Sequence, residues 1–177
     1  MNEGDQAPNF YLFDHTGTRR SLYAFLSDGP VVLFFYPIAN SPICSAEACH
    51  FRDLASEFAA VHAQRVGIST DTVDRQAHFA QQRAFDYPLL SDEHGAVAEQ
   101  FGVKRGIRRA RAKQTQRHRR RNKRPGLFAR LVPTKRKTFV IDVDGTVLKV
   151  VSSELRGSIH ANQALWYLQT QYPTLRR

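Results

Sequence analysis

Six consecutive apolar residues, Val31 to Tyr36, constrain this chain more than any other stretch. The run is rich in Val, Phe and Tyr and ends at Pro37, which suits a short strand buried on both faces. Such a strand needs a sheet beside it and helices above and below. A chain leaving it arrives at the carboxyl edge of the sheet, where open α/β folds place their ligands. Cys44 and Cys49, the two cysteines of the protein, follow at that edge.

From Pro42 to His62 the spacing predicts a helix, with Phe51, Leu54, Ala55 and Phe58 on one stripe. Ser41 suits the N-cap, and Pro42 suits an early position where its missing N–H costs little. Cys44 then falls in the first turn, where backbone N–H groups and the positive end of the dipole favour a thiolate. In an ideal helix the Cα atoms of Cys44 and Cys49 stand roughly 8 to 9 Å apart, whereas a disulfide spans about 4.4 to 6.8 Å. The pair therefore joins only if the first turns unwind. That geometry describes a thiolate that attacks in the folded form and a second thiol that captures its oxidised product after local unfolding.

Elsewhere, Phe10 to Ser21 reads as a small hairpin and Leu22 to Leu26 as a short helix, before a turn at Asp28 to Pro30. Arg65 to Ser69 is a second parallel strand and Thr72 to Phe85 a second amphipathic helix; this strand and helix alternation is the doubly wound pattern. Leu89 and Leu90 form a short strand, and Gly95 to Phe101 a short helix. Lys137 to Val143 and Thr146 to Val151 alternate as strands around an Asp144-Gly145 turn. Ser158 to Gln171 reads as a closing helix with Ile159, Leu165, Trp166 and Leu168 inward. The sum is an α/β sandwich, a central mixed sheet with helices on both faces.

The stretch around the cysteines resembles the peroxiredoxins, and within them the bacterioferritin comigratory or Q-type branch of the AhpC/TSA superfamily. That family carries Pro-x-x-x-Thr/Ser-x-x-Cys after a buried strand, here Pro37, Ser41 and Cys44, with a second cysteine five residues on, here Cys49. Phe-Tyr-Pro before, Glu-Ala-Cys-x-Phe-Arg-Asp after, Gly67 to Asp71, Tyr87 to Asp92 and Arg136 to Asp142 extend the likeness to most of the chain except roughly 105–132. The resemblance implies a thioredoxin-like fold and a thiol peroxidase acting on hydrogen peroxide and organic hydroperoxides. In that scheme Cys44 is the peroxidatic cysteine, Cys49 resolves its sulfenic acid into a disulfide, and thioredoxin is the reductant. Ser41 would hold thiolate and peroxide through its hydroxyl, Pro37 would shield the sulfur, and Arg136 would stabilise negative charge. No metal, haem or flavin cofactor is implied.

Plainer readings stand beside these. Two cysteines can be small buried hydrophobes, Ser41 a cap alone, and Pro37 a strand terminator. Arg136 is flanked by Lys135 and Lys137, so its side chain faces the site only if theirs do not. Glu47 either orients the site or simply suits a first turn. Cys44, Cys49 and His50 lack a fourth ligand for zinc, and His50, His62 and His78 read as surface side chains.

Charge is unevenly distributed. Lys104 to Lys137 holds 16 Lys and Arg with no Asp or Glu, out of totals of 26 and 16. The net charge of +10 therefore belongs to a basic insert at about 105–132 on an otherwise acidic body. Such a run attracts polyanions nonspecifically, so the competing reading is a thioredoxin-like scaffold that carries a nucleic-acid-binding arm and uses its thiols as sensors. A solvated loop is the simpler alternative. The expectation is a single domain over 1–177, a monomer or weak dimer. With a polar N-terminus and no apolar stretch of membrane-spanning length, it is expected in the cytoplasm and not at a membrane.

Overall fold

The computed structural model describes residues 1–105 and 133–172. The described residues form seven strands: β1 (Tyr11–Asp14), β2 (Arg19–Ser21), β3 (Val31–Phe35), β4 (Gln64–Ser69), β5 (Leu89–Ser91), β6 (Lys137–Ile141) and β7 (Val147–Ser152). They make one sheet in the order β2-β1-β5-β4-β3-β6-β7. β3 runs parallel to β4, and β4 to β5, while β6, β7, β1 and β2 pair antiparallel. The expected mixed sheet is present.

β3 is central because every one of its residues is buried. Val32, Phe34 and Tyr36 point to one face, beneath α2 (Pro42–Asp53), α3 (Ala55–Ala60), α4 (Val73–Arg83) and α6 (Ser158–Gln171). Val31, Leu33 and Phe35 point to the other, toward α1 (Leu22–Leu26) and α5 (Ala96–Gln100). On the first face the Phe34 ring stacks on Phe51 with centroids 4.2 Å apart. Gly67, opposite Phe34 in β4, leaves room for it: a Cβ there would meet Phe34 Cζ at 2.9 Å and Leu89 Cδ2 at 2.8 Å.

Two expectations about helices change. The segment Pro42 to His62 is not one helix but α2 and α3, broken at Leu54, whose φ of −95° and ψ of 23° leave the helical region. In a continuous helix the Phe51 carbonyl would accept the Ala55 N–H. Instead it accepts Arg65 Nη1 at 2.8 Å, and the chain turns there. The second change concerns α6, where Trp166 is 66% exposed and not inward. Residues two apart on a helix lie about 200° apart, so Trp166 and Leu168 cannot share a face. The inward stripe is His160, Ala161, Ala164, Leu165 and Leu168, whose two alanines suit close packing on the sheet.

Candidate active site

The site grows from the end of β3. Tyr36 is fully buried, its hydroxyl hydrogen-bonded to Gln76, and burial raises its pKa further above the usual phenol value. Pro37 is buried behind it. The following loop is pinned by the Ala39 N–H, which donates to Asp71 Oδ2 at 2.7 Å, while the Ser69 hydroxyl donates to the same oxygen at 2.8 Å. Asn40 takes a left-handed φ of 63°, a conformation that short polar side chains tolerate. Ser41 then caps α2, its Oγ accepting the Cys44 N–H at 3.4 Å, with Pro42 in the first turn. Cys44 is the third residue of that helix and only 2% exposed.

Arg136 reaches the same place from the opposite direction. β6 pairs antiparallel with β3, Lys137 facing Phe35, so the residue before β6 lies at the carboxyl end of β3. Alternation sends Lys135 outward and leaves Lys137 half-buried beside Phe139, while Arg136 turns inward and is 2% exposed. Its Nη2 donates to Cys44 Sγ at 3.1 Å. Its Nη1 forms an ion pair with Glu47 Oε2. One guanidinium thus joins a sulfur in the first turn of α2 to a carboxylate one turn later.

Glu47, whose role the sequence left open, is fully buried in this ion pair. Its other oxygen, Oε1, lies 3.8 Å from His160 Nδ1, and His160 is fully buried too. Burial, with the charge of Arg136 adding to it, pushes the imidazole pKa down to about 4. His160 is therefore neutral near pH 7. Its Nε2 faces the Ser153 carbonyl at 3.0 Å, which can only accept, so Nε2 carries the proton and Nδ1 accepts from the Thr138 hydroxyl at 2.9 Å. Thr138 shares a face with Arg136, two residues away. Sequence reading passed over His160; the signal was its place at i with Ala164 and Leu168 at i+4 and i+8 on the buried stripe.

Cys49 lies in α2 with Cys44, half-buried against the core, and both thiols are free. The structure thus brings Pro37, Ser41, Cys44 and Arg136 to the carboxyl end of β3, while Cys49 lies further along the intact α2. Of the basic insert, residues 106–132 lie outside the described residues. Its stem is described: the Arg105 N–H donates to Pro133 O and the Lys135 N–H to Val103 O, both at 2.8 Å. The arrangement suits nucleophilic sulfur chemistry. The Arg136 guanidinium donates to a Cys44 sulfur that sits almost wholly buried at the amino end of α2.

Residues 3–150 match the model of the AhpC/TSA family. A Mycobacterium tuberculosis protein bearing the name peroxiredoxin is 56% identical over 165 residues, covering 93% of this chain and 94% of the relative. The crystal structure of peroxidoxin BcpB from the same organism superimposes with a TM-score of 0.81 at 55% identity, over 96% of this chain and 97% of that one. The Xanthomonas campestris bacterioferritin comigratory protein, described with an alkyl peroxide reduction activity, matches at 25% identity and a TM-score of 0.73, over 92% and 91% of the two chains. Family and fold therefore agree with the resemblance carried by Pro37, Ser41, Cys44 and Cys49: the chain belongs to the AhpC/TSA family, among the peroxiredoxins of the bacterioferritin comigratory or Q type.

Proposed function

We propose that this peroxiredoxin is a thiol peroxidase that reduces hydrogen peroxide and organic hydroperoxides through Cys44 and Cys49. The observation that carries the reading is the 3.1 Å contact from Arg136 Nη2 to Cys44 Sγ at the mouth of α2. The thiolate attacks the terminal peroxide oxygen, the O–O bond breaks, and the leaving alkoxide or hydroxide takes a proton to become alcohol or water. Cys44 is then a sulfenic acid. The Cys49 thiol displaces its hydroxyl, which leaves as water once it has gained the thiol proton, and a Cys44 to Cys49 disulfide remains. A dithiol reductant, thioredoxin in our reading, reduces the disulfide by exchange, giving back two thiols and becoming a disulfide itself.

In this scheme Ser41 directs its hydroxyl at the peroxide, Pro37 keeps water from the sulfur, and Arg136 stabilises charge on sulfur and on the departing oxygen. The alkyl peroxide activity of the Xanthomonas campestris relative supports the organic substrate class. The relative of 56% identity is bacterial, and we place the enzyme in the cytoplasm as a single domain. Among the described residues no helix is long and apolar enough to cross a membrane.

The test is peroxide consumption with thioredoxin and thioredoxin reductase. Cys44→Ser should abolish turnover. Cys49→Ser should complete one reaction and then accumulate the sulfenic or sulfinic acid, read by intact mass. Two titratable thiols remaining after peroxide treatment of the unaltered protein would overturn the proposal.

A further inference from the structure

Cys44 and Cys49 share an intact helix, so resolution depends on what holds that helix closed. Among the described residues, two side chains from outside α2 donate to its carbonyls. The Tyr87 hydroxyl donates to Ala48 O at 2.8 Å, and Arg65 Nη1 donates to Phe51 O at 2.8 Å. They differ in where they grip. Ala48 adjoins Cys49 within the stretch that must unwind, whereas Phe51 lies beyond it, where α2 already ends in the break at Leu54. Each donor is itself rigidly held. Tyr87 is 4% exposed, packs on Phe85 with ring centroids 5.3 Å apart, and meets the Phe34 ring edge-on at 5.8 Å. Arg65 lies with its guanidinium 5.1 Å from the Tyr87 ring and forks onto Asp86 at 2.8 and 3.1 Å.

We propose that Tyr87 is a positioning residue of the resolving step: its bond to Ala48 must break before Cys49 can reach Cys44, so it sets how often the sulfenic acid is captured and how often it is oxidised further. Arg65 is the fixed end that stops the unwinding at Phe51. The inference rests on the two-cysteine cycle proposed above. Burial raises the Tyr87 pKa well above the usual value, so the hydroxyl remains a donor across the working range. Within α2 the Ala48 carbonyl also faces the Arg52 N–H at i+4. Tyr87→Phe therefore removes the latch without stranding a buried acceptor, and the ring keeps its packing.

The experiment is rapid-quench intact mass spectrometry of unaltered protein and Tyr87→Phe after a pulse of hydrogen peroxide, together with amide exchange. A net hydrogen bond corresponds to a factor of about three to ten in an opening equilibrium. The variant should form disulfide from sulfenic acid faster by about that factor and lose sulfinic acid in proportion, with its first reaction with peroxide unchanged. Amides of Cys44 to Cys49 should exchange faster while those of α6 keep their rates. Equal partition between disulfide and sulfinic acid in the two proteins would overturn the assignment, as would equal acceleration across α6, which marks general loosening. Failure of the unaltered protein to form any disulfide would instead reject the cycle itself.

Discussion

Arg136 divides its guanidinium between Cys44 Sγ and the Glu47 carboxylate, and only a planar fork with separate donors spans both. Arg136→Lys places one ammonium where two contacts are needed, so the rate of peroxide reaction should fall about a hundredfold, measured by competition for peroxide. A rate within a factor of about two would take Arg136 out of the chemistry. Behind this pair, His160 is neutral in the folded state, its pKa near 4 against 6.5 for an unperturbed imidazole. As pH falls from 6.5 toward 4, the unfolded chain takes up a proton there that the folded chain refuses. Stability from this group is thus complete above pH 6.5, declines toward pH 4 and levels off below, by about 3 kcal/mol at most. Urea titrations across that window check it, and His160→Gln should flatten the decline.

At the scale of elements, the site depends on a loop pressed against α2. Gly157, just before α6, has no side chain because none fits: a Cβ would meet Glu47 Cβ at 2.9 Å and the Ile43 carbonyl at 3.2 Å. Gly157→Ala should push on the first turns of α2 and destabilise the protein by about 1 to 3 kcal/mol. Equilibrium denaturation reads this, and an unchanged midpoint would show that loop and helix have room to part. The start of α2 was well marked in the sequence, since Ser41 and Pro42 carry their own capping chemistry. The break at Leu54 was not, because the Phe51 carbonyl beside it bonds to the Arg65 side chain of β4, a contact that no local pattern encodes. The facing of Trp166 was misread for a related reason: a bulky apolar side chain suggests burial, but the small Ala161 and Ala164 mark the face of α6 that packs inward.

Across the whole molecule, the sheet joins two cores, and Phe34 lies in the first, its ring meeting those of Tyr36, Phe51 and Tyr87. Phe34→Ala should cost about 3 to 5 kcal/mol by denaturation, since the cavity it leaves is walled by strands that cannot collapse into it. The sequence by itself determined the buried strand, the helix that carries both cysteines and the family, because burial pattern, capping and motif spacing are local properties of the chain. It also supplied Arg136 through its motif, but not the direction of its side chain. Only the tertiary structure decided that Arg136 turns inward, that Glu47 is its buried partner and that His160 lies behind both. Those contacts join residues 89 and 22 positions apart, from Arg136 to Glu47 and from Thr138 to His160. Such pairs arise from the antiparallel register of β6 on β3 and from α6 packing beside α2, and no local pattern encodes either.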